Sequence, residues 1–167
     1  MGQIIVSDAN ILFDLLSVDL MDEFFLLPFD IATTDFVIHE IQKPEQLRII
    51  NQYIGIRKLQ IASFDSDELD KILSIYSNNN SNTSITDCSV WYYAKKTGGL
   101  LLTGDKKLRK SAEKDRVRVS GILFIFDSLI EYGILDKAEC AHRLMQLMII
   151  NKRMPISECE TRIRRWS

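Results

Sequence analysis

The stretch Leu100-Leu101-Leu102-Thr103-Gly104-Asp105 constrains the fold more than any other. A short apolar run with Gly98-Gly99 before it and Gly104 after it reads as a strand buried on both faces. It ends on a carboxylate, and Lys106-Lys107-Leu108-Arg109 follow at once. An acid at the carboxyl end of such a strand sits where open α/β sheets place their ligands. Asp105 is equally well placed to cap the helix that follows. The question is whether other acids end other strands in the same way.

The rest of the chain repeats the alternation. Gln3 to Ser7, with Ile4, Ile5 and Val6 consecutive, reads as a buried first strand that ends at Asp8. A helical pattern follows from Asn10 to Leu16, and a short helix over Leu20–Leu26 stops before Pro28. Asp30 to Thr33 reads as the second strand, and Thr34 or Asp35 caps a helix that carries Glu40. Past Pro44 come a helix from Glu45 to Ile56, a short strand over Leu59–Phe64 and a helix from Asp65 to Tyr76. The Asn/Ser-rich stretch Ser77–Ser84 reads as a mobile loop, and Ser84-Ile85-Thr86-Asp87 opens the next helix. After Asp105 a basic helix runs to about Lys114, then a strand over Val117–Val119 and helices over Ile122–Tyr132 and Asp136–Ile150. Pro155 opens a last helix containing Arg162, Arg164, Arg165 and Trp166. Strands alternating with helices predict a parallel sheet covered by helices. A chain of 167 residues carries one such domain with a sizeable core.

No basic leader precedes an apolar segment at the N-terminus, and Asp8 and Asp14 interrupt the first apolar stretch. No stretch approaches an uncharged membrane span. Cys88, Cys140 and Cys159 are odd in number and widely spaced, which fits reduced thiols better than disulfides or a zinc site. Together these predict a soluble, cytoplasmic protein with no membrane partner. Charge is distributed unevenly: residues 1–105 hold 7 Lys/Arg against 15 Asp/Glu, and residues 106–167 hold 14 against 8. An acidic part beside a basic part suits a cation site next to a polyanion-binding surface, although solvated helix faces give the same count.

Asp8, Glu40, Asp87 and Asp105 therefore stand out. Neighbouring parallel strands would bring Asp8 and Asp105 to one edge, and helices that start or pass there could add Asp87 and Glu40. Converging carboxylates repel one another unless a cation neutralises them. Oxygen ligands without a Cys/His cluster select Mg²⁺ or Mn²⁺. Each acid also has a structural reading: Asp8 and Asp105 as caps, Asp87 with Ser84 as a capping box, Glu40 as a solvated helix residue. Lys106, Lys107, Arg109 and Lys110 could meet phosphates or simply form a solvated face. Trp91 at helical spacing reads as core more readily than as a base-stacking platform, and Leu144, Leu147, Met148 and Ile149 as a packed stripe.

The stretches Ile4-Ile5-Val6-Ser7-Asp8-Ala9-Asn10, Glu40 in its helix, Thr86-Asp87 with Ala94 two turns on, and Leu102-Thr103-Gly104-Asp105-Lys106-Lys107-Leu108 resemble, in order and spacing, those of PIN-domain ribonucleases. That family includes the toxins of many bacterial toxin–antitoxin pairs. Val119-Ser120-Gly121-Ile122-Leu123 through Tyr132-Gly133-Ile134-Leu135 resembles a PIN-like subgroup with a longer tail. The resemblance implies an α/β three-layer sandwich with a central, mostly parallel sheet. It places a catalytic domain at 1–132 and a helical extension at 133–167 packed on the same domain. It further implies that Asp8, Glu40, Asp87 and Asp105 hold Mg²⁺ or Mn²⁺ for metal-dependent hydrolysis of RNA, with Asn10 and Thr103 orienting the acids. Its partners would be RNA, an antitoxin protein and a second copy of the chain. Two other readings compete: a PIN fold acting only as a non-catalytic interaction module, and a Mg²⁺-dependent phosphotransfer domain. The second needs a phosphoacceptor at the third strand and a lysine near the fifth, a pair the chain does not show convincingly.

Overall fold

The computed structural model describes residues 2–79 and 83–167. Five strands, β1 (Gln3–Ser7), β2 (Phe29–Thr34), β3 (Leu59–Ala62), β4 (Leu100–Leu102) and β5 (Val119–Ser120), form one sheet in the order β3-β2-β1-β4-β5. All adjacent pairs are parallel. β1 lies at the centre, with Val6 opposite Ala32 of β2 on one side and Leu101 of β4 on the other. Ile5, Val6, Leu101 and Leu102 are fully buried, which is why these strands are continuous apolar runs rather than alternating ones.

The connecting helices follow the caps written in the sequence. Helix α1 (Ala9–Ser17) is capped by Asp8 and buries Ala9, Ile11, Leu12 and Leu15. After α2 (Met21–Leu26) and β2, Thr34 caps α3 (Asp35–Glu40) through its hydroxyl. Pro44 is not a break but the first residue of α4 (Pro44–Gly55), where the backbone N–H would have no intrahelical partner. Helix α5 (Ser66–Asn78), opened by a capping box of Asp65 and Glu68, runs on through Ser77 and Asn78 of the expected loop. Of the remainder of that loop, residues 80–82 lie outside the described residues. The structured span of β3 stops at Ala62, and β5 is shifted to Val119–Ser120.

Helix α6 (Ile85–Thr97) packs across β1, β2 and β4. It buries Val90, Trp91 and Ala94, so Trp91 is core. It ends on Gly98 in the left-handed conformation (φ 69°). Gly99 then passes so near β1 that a Cβ there would meet the Ile4 carbonyl oxygen at 3.0 Å. Helix α7 (Lys106–Lys114) buries only Leu108 and Ala112 and leaves its lysines in solvent.

Helices α8 (Ile122–Glu131), α9 (Lys137–Ile150) and α10 (Ile156–Trp166) close the molecule. α9 packs on α1 and α8, and α10 packs on α9. Cys140, Leu144, Leu147, Met154, Cys159 and Trp166 belong to the same apolar cluster as β1 and β4. On α9 the stripe is narrower than the sequence pattern suggests: Leu144 and Leu147 are buried, but Ile149 is 70% exposed. A four-residue apolar run spans more of a helix's circumference than one packed face can cover. The three cysteines are free and buried, and burial pushes each thiol above its ordinary pKa. Among the described residues no helix is long and apolar enough to cross a membrane.

Candidate functional site

The sheet order decides where a ligand can sit. The chain lays β1, β2 and β3 outward on one side, then returns to place β4 and β5 on the other. The direction of winding reverses between β1 and β4, and in open parallel sheets the crevice beyond the carboxyl ends at such a reversal is the ligand site. Asp8 follows β1 and Asp105 follows β4, so both stand at that crevice.

Asp8 is the anchor. It is 3% exposed, and its backbone N–H extends the β1–β4 ladder by donating to the Leu102 carbonyl at 2.9 Å. One carboxylate oxygen accepts from the Ala9 N–H at 2.8 Å, and the other from the Thr103 hydroxyl at 2.7 Å. The Thr103 hydroxyl in turn accepts from the Asp105 N–H at 3.1 Å. One hydroxyl therefore ties the ends of β1 and β4 together. Asp105 accepts from the N–H groups of Lys107 and Leu108 at 2.8 and 3.2 Å and so caps α7. Asp87 and Ser84 form a reciprocal capping box at the start of α6. The structural readings of these three acids are thus correct as far as they go.

They are also electrostatically one group. Burial pushes the Asp8 carboxyl up to about 6, with the charges of Asp87 and Glu40 adding to the rise against the Thr103 and Ala9 hydrogen bonds. Burial likewise raises Asp87, reinforced by Asp105 and Glu40. The mutual repulsion links all four acids. Glu40 is exposed as the last residue of α3, and its charge acts on Asp8 and Asp87.

The donor set fits a hard divalent cation. It is all carboxylate and partly buried, and a cation would relieve the burial and repulsion that raise Asp8 and Asp87. Among the described residues no three Asp, Glu, His or Cys side chains stand close enough to cage an ion directly. Three of the acids are fixed by helix-capping bonds, so their positions are set by the backbone.

Other residues sort less evenly. Asn10 is exposed in the first turn of α1 and makes no side-chain hydrogen bond to an acid among the described residues. Lys106, Lys107 and Lys110 are exposed and Arg109 is half-buried, all on the helix that begins at Asp105. Asp35, one of the two cap candidates for α3, is a further acid here. It lies one residue past β2 at the same edge, and its Oδ1 is buried without a hydrogen-bond partner among the described residues. Such an atom is ordinarily satisfied by a water or an ion. No local pattern marks it, because its isolation depends on what packs around it.

A family model described as PIN domain, DUF3368, matches residues 4–167. The chain belongs to the PIN-domain family. PIN domains are in general nucleases, so this one is placed in a family of nucleic-acid hydrolases. PAE2754 from Pyrobaculum aerophilum is similar to this PIN domain at 15% identity and TM-score 0.55, over 81% of this chain and 100% of that one. SSO1118, a PilT N-terminus domain protein from Sulfolobus solfataricus P2, matches at 13% identity and TM-score 0.48, over 77% and 94% of the two chains. FitAcB from Neisseria gonorrhoeae matches at 14% identity and TM-score 0.44, over 69% and 95%. No functionally curated protein matches the sequence. The likeness to PAE2754 is one of fold, and it supports the three-layer α/β architecture.

Proposed function

We propose that this PIN domain is a metal-dependent endoribonuclease in which Asp8, Glu40, Asp87 and Asp105 hold Mg²⁺ or Mn²⁺. The observation that carries the reading is geometric: Asp8 and Asp105, joined through the Thr103 hydroxyl, stand at the reversal point between β1 and β4, and the charges of Asp87 and Glu40 act on Asp8. What a bound divalent ion contributes there is activation of water for in-line attack and neutralisation of charge on the phosphoryl group. The chain's own part is positioning. Asp8 is held by Ala9 and Thr103, so the most buried acid has one orientation. Asp105 and Asp87 are fixed against the first turns of α7 and α6. Thr103 keeps the two strand ends in register, and Asn10 borders the site from α1. Lys106, Lys107, Arg109 and Lys110 offer cations to the substrate backbone just past Asp105. The expected setting is cytoplasmic. Within a toxin–antitoxin pair the partners are RNA, an antitoxin protein and a second copy of this chain.

Purified protein should cleave RNA in Mg²⁺ or Mn²⁺, and EDTA should stop it. Asp8→Asn and Asp105→Asn should each lower the rate by at least about 100-fold, since even residues that merely orient metal ligands cost 10–100-fold. Asparagine caps helices as well as aspartate does, so both variants keep their folds. Full activity in either variant would overturn the assignment. RNA binding with no turnover under any metal would favour the interaction-module reading instead.

A further inference from the structure

An open groove of about 770 Å³ lies over α6, between the C-terminal half of α5 and helix α7. Trp91 and Lys95 form its floor, and Lys110, Ser111, Lys114 and Asp115 one wall. None of the four acids lines the groove, but two helix stripes lead from it towards them. Asp87, Trp91 and Lys95 follow one another at four-residue spacing on α6, and Lys106, Lys110 and Lys114 do the same on α7. Residues so spaced share one helix face. Each stripe therefore begins in the turn that carries Asp87 or Asp105 and leads away from it. From Lys106 to Lys114 the α7 stripe extends about 12 Å.

Its charge is unspent. Lys110 and Lys114 are exposed and make no ion pair among the described residues. Lys95 is held at 2.6 Å by Asp115, whose second oxygen accepts from the Trp91 indole N–H at 2.9 Å. The indole is thus tied down and only 7% exposed, so it offers a wall and no face on which a base could stack. Lysines on flexible stems are point charges that meet phosphates without reading sequence.

We propose that this groove is the path of the single-stranded RNA flanking the scissile bond, held through its phosphates and not through its bases. The location rests on the nuclease reading of the acid group; the binding itself does not. The other occupant such a surface could take, an acidic protein segment, is an outcome of the test.

The test is binding of labelled single-stranded oligoribonucleotides to the full-length Asp8→Asn protein in EDTA, by fluorescence anisotropy across a salt series. Lys110→Ala with Lys114→Ala should weaken binding on oligonucleotides of unrelated sequence alike. It should also flatten the log–log salt slope by about 0.7 for each lysine removed. Lys137→Ala with Lys152→Ala, exposed lysines outside the groove, should leave affinity and slope unchanged. An unaltered slope in the Lys110/Lys114 variant overturns the proposal. So does binding of labelled polyglutamate that Lys110→Ala with Lys114→Ala weakens, together with absence of RNA binding, which assigns the groove to a protein segment. If the groove variant loses binding as expected while wild-type protein cleaves nothing, the groove stands and the nuclease reading falls. If wild-type protein cleaves RNA and the slope is unaltered, the groove alone falls.

Discussion

Asp8 combines burial, charge repulsion and two hydrogen bonds, and each makes a separate prediction. Its carboxyl is raised from 3.8 to about 6, so the folded protein binds this proton more tightly than the unfolded chain does. Stability contributed by this group therefore rises as pH falls through about 6 and levels off near the ordinary value. Above that window the ionised group costs about 3 kcal/mol. Asp8→Asn should accordingly be more stable than wild type in urea at pH 7 without metal, with the difference vanishing near pH 4. An Asp8→Asn variant less stable at pH 7 would show that burial and the neighbouring acids do not dominate here. Mg²⁺ should reverse the ranking, raising the melting temperature of wild type and leaving that of Asp8→Asn in place, because a ligand stabilises only the state that binds it. Thr103→Val removes the hydroxyl that donates to Asp8 and accepts from Asp105. Leaving buried partners unsatisfied costs about 1–3 kcal/mol. Chemical denaturation of this variant measures it directly.

Among the elements, α6 concentrates the most constraint. Its N-terminal box places Asp87, its middle is buried against three strands, and its C-terminus must turn at once into β4. That turn needs Gly98 at φ 69°. An alanine there should cost about 1 kcal/mol, the ordinary penalty of a side chain in the left-handed region. Because β4 leads directly to Thr103 and Asp105, Gly98→Ala should lower stability while leaving metal binding at saturating Mg²⁺ intact. Loss of Mg²⁺ binding instead would mean that the turn sets the crevice geometry. Helix α7 is different in kind. With two buried residues it is held mainly by its Asp105 cap and its docking on α6, which leaves its basic face open for a ligand.

For the whole molecule, residues of the tail pack against the core. Arg162 holds Asp127 of α8 through two nitrogens at 2.9 and 2.8 Å, and Trp166 lies 6.5 Å from Phe126, centroid to centroid. Arg143 reaches back to the carbonyls of Val18 and Asp19, and Asn151 donates to both oxygens of Asp14. We infer that residues 133–167 extend the 1–132 core as one folding unit. A chain ending at residue 132 should then aggregate or melt without cooperativity, since it uncovers Phe126 and Leu129. Trp166→Ala should lose about 3 kcal/mol, at the lower end for a large buried aromatic. A truncated chain that melts cooperatively and binds Mg²⁺ would show the tail to be dispensable.

Much of this was legible locally. The apolar runs at Ile4–Val6 and Leu100–Leu102 could only be strands buried on both faces, and Asp8, Ser84 with Asp87, and Asp105 announced their helices, because periodicity and capping act within a few residues. The four acids could be named from their places in those elements. What the sequence could not contain was adjacency. Asp8 and Asp105 share a hydroxyl of Thr103 only because α6 packs across the sheet and seats β4 beside β1, far along the chain from it. The isolated oxygen of Asp35, the exposure of Ile149 and the alignment of Lys95 with Lys114 across one groove depend on that packing too. Local chemistry chose the elements and the residues; long-range burial of apolar surface chose which of them meet.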